Sequence, residues 1–187
     1  MKNPFLLLFV LLLTVACDKN NRRINAVNNY YKAFNNSDYN EIKSLITDSI
    51  TITEGSYVMS YTKKSFNNHF KWDSIFKPTY KVKALKELND EIIVKIEVNS
   101  LRLEFLKNNP MTCEYKISFE SDKLTKFENL DCIGVNWAIW EKERDSLIDW
   151  ISTHHSELDG FIHDLTISGA KNYLKAISLY ENNKKAL

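Results

Sequence analysis

Three groups of side chains in this 187-residue sequence have types and spacings that could do chemistry. The first is His69-Phe-Lys-Trp72-Asp73-Ser-Ile-Phe76, where a carboxylate lies beside a tryptophan at helical spacing, with Tyr31 and Tyr57 as phenols elsewhere in the chain. Aromatic residues at that spacing usually pack a core, and Asp73 would then cap a helix or pair with a lysine. The second is His155, Asp159 and His163, at i, i+4 and i+8, which an unbroken helix would stack as three metal-capable ligands on one face. Gly160 inside that span and the helix-ending text Thr153-His-His-Ser156 favour polar loop residues, and with no HExxH or CxxC pattern the reading is no metal site. The third is Trp137 and Trp140 with Tyr30 and Tyr31, types enriched in ligand pockets and interfaces alike. Both tryptophans fall on the inward stripe of their helix, which favours sealing that helix onto the rest of the domain. No glycine-rich phosphate loop or nucleophile elbow is present, and four glycines leave little for a cradle of backbone amides, so no cofactor is expected.

The start of the chain says where such groups would work. Lys2 precedes an apolar run from Phe5 to Leu13, and Val15-Ala16 lead into Cys17. The run is too short to span a bilayer and has the layout of a secretory signal peptide. Its ending resembles the lipobox of bacterial lipoproteins, with Thr14 standing where Leu is commonest; a plain signal peptide cut nearby without lipidation is the alternative. The resemblance implies cleavage after residue 16, lipid attachment at Cys17 and an exported protein held on the membrane of the cell envelope, the outer membrane or cell surface being favoured over the inner membrane. Residues 17–21 would be a short polar tether. Lys2 is the only charged side chain removed, so the formal charge of +1 becomes zero. Without a basic surplus, nucleic-acid binding is not expected.

Setting Cys17 aside leaves Cys113 and Cys132. In an oxidising compartment the pair suggests a disulfide, and a hairpin of Thr112–Phe119 with Leu124–Cys132 would put them on one face; two buried thiols are the other reading. The elements that would position all these groups follow from hydrophobic period. Ile24, Val27, Tyr30, Tyr31 and Phe34 make a helical stripe, and Asp38 caps a second short helix with Glu41 three residues on. Residues 49–53 alternate as a strand ended by Gly55, and Thr62 begins a third helix through Phe66, Phe70 and Ile75, closed by Pro78. From Tyr80 the period is two. Ile92, Val94, Ile96 and Val98 share one parity, whereas Leu101, Leu103 and Phe105 share the other, which predicts one long strand bent by a bulge near Asn99-Ser100. Helical spacing returns through Trp137, Trp140, Arg144, Leu147, Ile148 and Ile151, and again in a last helix capped by Ser168, whose polar end from Asn182 to Lys185 would fray.

Two helices, a strand, a helix and a run of antiparallel strands with a bent long one: this order, with the opening text Val27-Asn-Asn-Tyr-Tyr-Lys-Ala-Phe-Asn35-Asn-Ser-Asp38-Tyr, resembles the nuclear-transport-factor-2-like superfamily, the cone-shaped fold of polyketide cyclases and ketosteroid isomerases. The resemblance covers roughly residues 22–132. It implies an α+β domain over residues 22–135, with N-terminal helices on a strongly curved, mainly antiparallel sheet, and leaves residues 136–187 as a C-terminal helical extension packed on the same domain. In that fold the helix bearing Trp72 and Asp73 lies at the mouth of an apolar cone, so Tyr31, Tyr57, Trp72 and Asp73 become candidate pocket residues. The expected function is a non-catalytic envelope module holding a small apolar or amphipathic ligand. A protein-interaction module using the sheet face or the C-terminal helices, with homodimerisation through the sheet, is one alternative. An isomerase- or dehydratase-like enzyme, with Asp73 as base and tyrosines as donors, is another.

Overall fold

In the computed structural model, which describes residues 21–186, the first apolar stripe folds as predicted: helix α1 spans residues 21–35 and buries Ala26, Val27, Tyr30, Tyr31 and Ala33. The leader, Cys17 and the expected tether up to residue 20 lie outside the described residues, while residue 21, expected in that tether, already belongs to α1. The chain turns at Ser37, in the left-handed region, and Asp38 caps α2 (Tyr39–Leu45) by accepting from the Glu41 amide at 3.0 Å. Next come β1 (Ile46–Glu54) and β2 (Tyr57–Thr62), a hairpin turning at Gly55, whose positive φ suits a primed turn. Thr62 and Ser65 form a capping box that starts α3 (Lys63–Ser74).

Strands β3 (Thr79–Leu88) and β4 (Glu91–Asn99) follow, then a short helix α4 (Leu101–Phe105), then β5 (Met111–Glu120) and β6 (Lys123–Ile133). Helix α5 (Trp137–His154), two 3₁₀ turns (Ser156–Leu158 and Phe161–His163) and α6 (Ile167–Ala186) complete the chain. No helix among the described residues is long and apolar enough to cross a membrane.

The six strands form one mixed sheet in the order β2-β1-β6-β5-β4-β3, with β1 parallel to β6 and every other pair antiparallel. Cys113 faces Cys132 directly across the β5–β6 hairpin, and the two are bonded. The sheet's inner face carries Ile92, Val94 and Ile96 of β4, Ile117 of β5 and Phe127 of β6, packed against α1, α2 and α3 in a first hydrophobic cluster. A second cluster joins Trp72 and Phe76 to Phe105 and Leu106, to Leu147 and Ile151 of α5, and to Ala170, Tyr173, Ala176 and Ile177 of α6.

Several expectations are corrected. The long bent strand is instead β4 followed by α4: the parity change at Ser100 marks a change of element, with Ser100 capping α4 through the Leu103 amide at 3.1 Å while Leu103, Phe105 and Leu106 turn inward. The irregularities of the sheet lie elsewhere, between Ile46 and Thr51 of β1 along β6, between Val82 and Ala84 of β3, and at two points of the β5–β6 pair. Strand β2 turns only Met59 and Tyr61 toward the core, the rest of it being exposed, and two positions make too short an alternation to reveal it. The last helix is capped by Thr166, whose hydroxyl accepts from the Gly169 amide at 3.1 Å, so Ser168 lies inside the first turn. Its polar end remains helical to Ala186, with the Lys184 ammonium 4.3 Å from the Tyr180 ring centroid.

Candidate functional site

Helices and the sheet together bring the site into place. Helix α3 projects Phe66, His69, Trp72 and Asp73, residues three and four apart and therefore on one face. Helix α1 supplies Tyr30, Tyr31 and Phe34 from its buried stripe. Strand β3 supplies Tyr80, its second residue, whose backbone is held against the end of α1: the Asn35 amide group donates to the Tyr80 carbonyl at 2.7 Å, and the Tyr80 N–H donates to Asn35 Oδ1 at 2.6 Å. The sheet adds Ile96, Val98, Tyr115 and Phe127, and α4 adds Arg102 and Leu103. These side chains enclose a cavity of about 320 Å³, near the lower end of the range of small-molecule sites.

The wall is rich in aromatic rings, in edge-on and tilted contact: Tyr30 meets Phe127 at 4.8 Å between ring centroids, Phe34 meets Tyr80 at 5.4 Å and Tyr31 meets Tyr80 at 5.6 Å. Polar groups enter at few points. The Tyr80 hydroxyl donates to Asp73 Oδ2 at 3.1 Å. Burial pushes the phenols of Tyr30, Tyr31 and Tyr80 well above the usual tyrosine value, and the Asp73 carboxylate adds to the effect on Tyr80 and Tyr30. Tyr115 is pushed up to about 12, chiefly by burial. His69 stacks on Trp72, with rings 6.1 Å apart and 16° from parallel. Burial lowers its pKa, Asp73 opposes that shift, and Arg102 reinforces it. The phenols and the imidazole are therefore neutral hydrogen-bonding groups at pH 7, facing one carboxylate on α3 and a second, Glu54, at the end of β1.

Of the four pocket candidates, Tyr31, Trp72 and Asp73 line this cavity. Tyr57 does not: it is 75% exposed at the start of the outer strand β2, on the parity of Met59 and Tyr61 but beyond the cavity that they line. Trp72 has two roles, since its face lines the cavity while its indole N–H donates at 3.2 Å to the Asp164 carbonyl of the C-terminal extension. Tyr80 and Arg102 escaped sequence reasoning. The alternation of Tyr80 with Val82 specifies a strand and nothing of a site, and strand-like parity over residues 101–105 conceals Arg102.

The other groups fall elsewhere. The histidine–aspartate spacing forms no ligand face, because α5 ends at His154 and Asp159 and His163 follow on separate turns; among the described residues, no three such side chains are placed to hold a metal ion. Trp140 packs against the second cluster, but Trp137 is 54% exposed, so the sealing role expected of both tryptophans belongs to Trp140, while Leu147 and Ile151 do most of the burying.

No family model and no curated protein matches this sequence. Solved structures do. The epoxide hydrolase/cyclase-like enzyme SalBIII, of pyran ring formation in the polyether salinomycin, superposes with a TM-score of 0.51 at 14% identity, over 59% of this chain and 91% of that one. A candidate polyketide cyclase from Sinorhizobium meliloti gives 0.50 at 11% identity, over 57% of this chain and 94% of that one. A protein from Kribbella flavida gives 0.50 at 9% identity, over 65% and 93%. At such identities the likeness concerns the fold alone, and it spans nearly all of each relative but about three-fifths of this chain. Element order, sheet topology and these superpositions together show that the chain has the α+β cone fold of nuclear-transport-factor-2-like proteins, with further helical structure beyond it.

Proposed function

We propose that this protein is an exported lipoprotein whose cone domain binds a small amphipathic molecule without transforming it. The observation that carries the binding role is the 320 Å³ aromatic cavity, into which the Asp73–Tyr80 pair, His69 and Arg102 bring polar groups at separate points. Such a cavity, largely apolar with a few converging polar groups, is the ordinary form of a ligand site. A site needed only for packing would close on itself, since a void forfeits the contacts of its lining atoms. The envelope location rests on the Lys2, Phe5–Leu13 and Val15-Ala16-Cys17 text.

Native mass spectrometry of the full chain purified from its own host tests both parts. A retained small molecule, released on denaturation, supports the binding role, and an unliganded mass alone overturns it. A lipid-modified N-terminal cysteine on the same protein, abolished by Cys17→Ala together with membrane partitioning, tests the anchor independently.

A second reading is favoured by one contact. Asp73 accepts from Tyr80 while His69 lies one helical turn before it, the placement of a base with neighbouring donors for an isomerase or dehydratase. Deuterium exchanged from solvent into the recovered ligand by the native protein, and not by Asp73→Asn, would establish that reading in place of simple binding.

A further inference from the structure

Arg102 is the anomaly of the cavity wall. Its guanidinium lies over the faces of Trp72 and Phe76, 5.0 and 5.4 Å from their ring centroids, and its Nε is buried with no hydrogen-bond partner. Among the described residues no carboxylate forms an ion pair with it, although Asp73 and Glu54 line the same cavity. Asp73 instead receives the Tyr80 hydroxyl. Lys and Arg side chains elsewhere on this domain do find acids: Arg23 reaches Asp90 at 3.0 Å, and Lys63 reaches Asp48 at 3.0 Å. A planar cation stacked on rings, with a donor turned away from water and left unused, is a ready fork for a planar anion, since guanidinium geometry matches a carboxylate through two parallel N–H bonds. The surrounding lining of Leu103, Trp72 and Val98 would lower the local dielectric and strengthen such a pair.

We propose that Arg102 is the anchor for an anionic group, so that the cavity selects small aromatic or otherwise apolar carboxylates: the carboxylate on the Arg102 guanidinium, the carbon body among Tyr30, Phe34, Phe66 and Phe127, and any hydroxyl or ketone of the ligand toward the Tyr80–Asp73 pair. This assignment rests on the reading of the cavity as a ligand site. It adds the charge class of the ligand and the residue that selects it.

The test compares two probes of one shape, 2-naphthoate and the uncharged 2-naphthamide, titrated into the wild-type protein by isothermal calorimetry. Naphthoate should bind at least about tenfold more tightly than the amide, the difference expected of one charge-assisted hydrogen-bonding group. In Arg102→Gln that preference should fall to about twofold or less, while the amide affinity moves by less than about threefold. Equal binding of the two probes to the wild type overturns the role of Arg102 and leaves the cavity a ligand site. Binding of neither overturns both. The wild-type comparison stands even where Arg102→Gln fails to fold, and Arg102→Lys, which keeps the charge but loses the fork, should show an intermediate preference. A preference that survives unchanged in a folded Arg102→Gln also refutes the assignment.

Discussion

The two hydrophobic clusters meet on α3 and differ in how they are filled. In the first, between the helices and the inner face of the sheet, Tyr30, Tyr31, Tyr80 and Tyr115 surround open space and keep hydroxyl groups directed into the domain. In the second, Phe76, Leu147, Ile151, Ala170, Tyr173 and Ala176 close on one another, and Trp72 commits its only donor to the Asp164 carbonyl. Helix α3 gives Phe66 and Phe70 to one and Trp72 to the other. A close-packed cluster serves stability, because its dispersion contacts are complete. A cluster that keeps a void lined by phenols, a carboxylate and an arginine gives up some of that stability. The C-terminal extension backs α3 through the second cluster, and its Leu165 also reaches the cavity.

The contrast can be broken most forcefully at Phe76, fully buried between Trp72 at 4.9 Å and Tyr173 at 5.5 Å. Phe76→Ala should cost about 3–5 kcal/mol in urea unfolding, whereas Tyr30→Phe on the cavity wall should cost at most about 1 kcal/mol. Equal losses would mean that the two clusters are packed alike. Next is the covalent link between β5 and β6. Removing it with paired Cys113→Ser and Cys132→Ser changes opens a loop of sequence separation 19 and should lower stability by about 3 kcal/mol, with reducing agent lowering the wild type in parallel.

A smaller effect is expected where α6 presses on the segment before it. A Cβ at Gly169 would meet the Asp164 carbonyl oxygen at 2.0 Å. Gly169→Ala should therefore push that segment away, at about 1–3 kcal/mol, and loosen the Trp72 indole contact, visible as a shift in tryptophan emission. The smallest effect belongs to the cavity. His69 is held neutral by burial, so its folded-state pKa lies below the ordinary value of 6.5. As pH falls through that value the unfolded chain gains a proton that the folded chain resists, so stability decreases with falling pH and levels off below the folded-state pKa. Thermal unfolding from about pH 8 to 5 should show this decline, and His69→Gln should flatten it. The buried tyrosines act at the other end of the scale. With folded-state values raised, they make stability fall as pH rises above about 10, where the unfolded chain releases protons that the fold retains.

Much of this arrangement was legible in the chain because it follows from local rules. The stripe of α1, the Asp38 cap, the Thr62 start of α3, the alternation of β4 and the opposed cysteines all depend on residues close in sequence or on one regular pairing. Tyr31, Trp72 and Asp73 reached the cavity because helical period placed them on inward faces. The departures have separate causes. Residues 101–105 satisfy strand alternation and helical spacing equally over five residues, and the Ser100 cap decided between them only with Phe76 in place, whose carbonyl accepts from the Leu101 amide at 3.0 Å. Tyr57 shares the parity of Met59 and Tyr61, but it stands at the start of β2 beside the Gly55 turn, beyond the cavity.

By itself the sequence determined the succession of helices and strands, the parity that brings Cys113 opposite Cys132, and the formal neutrality of a chain that would begin at Cys17. Only the tertiary structure decided that α3 lies between two unlike clusters, that one of them stays open, and that Asp73 meets Tyr80 while Arg102 meets two rings and, among the described residues, no acid. Periodicity specifies which face of an element turns inward, but whether facing surfaces close or leave a void depends on the summed shapes of side chains from elements far apart in the chain. That sum exists only once the sheet has bent and the extension has docked.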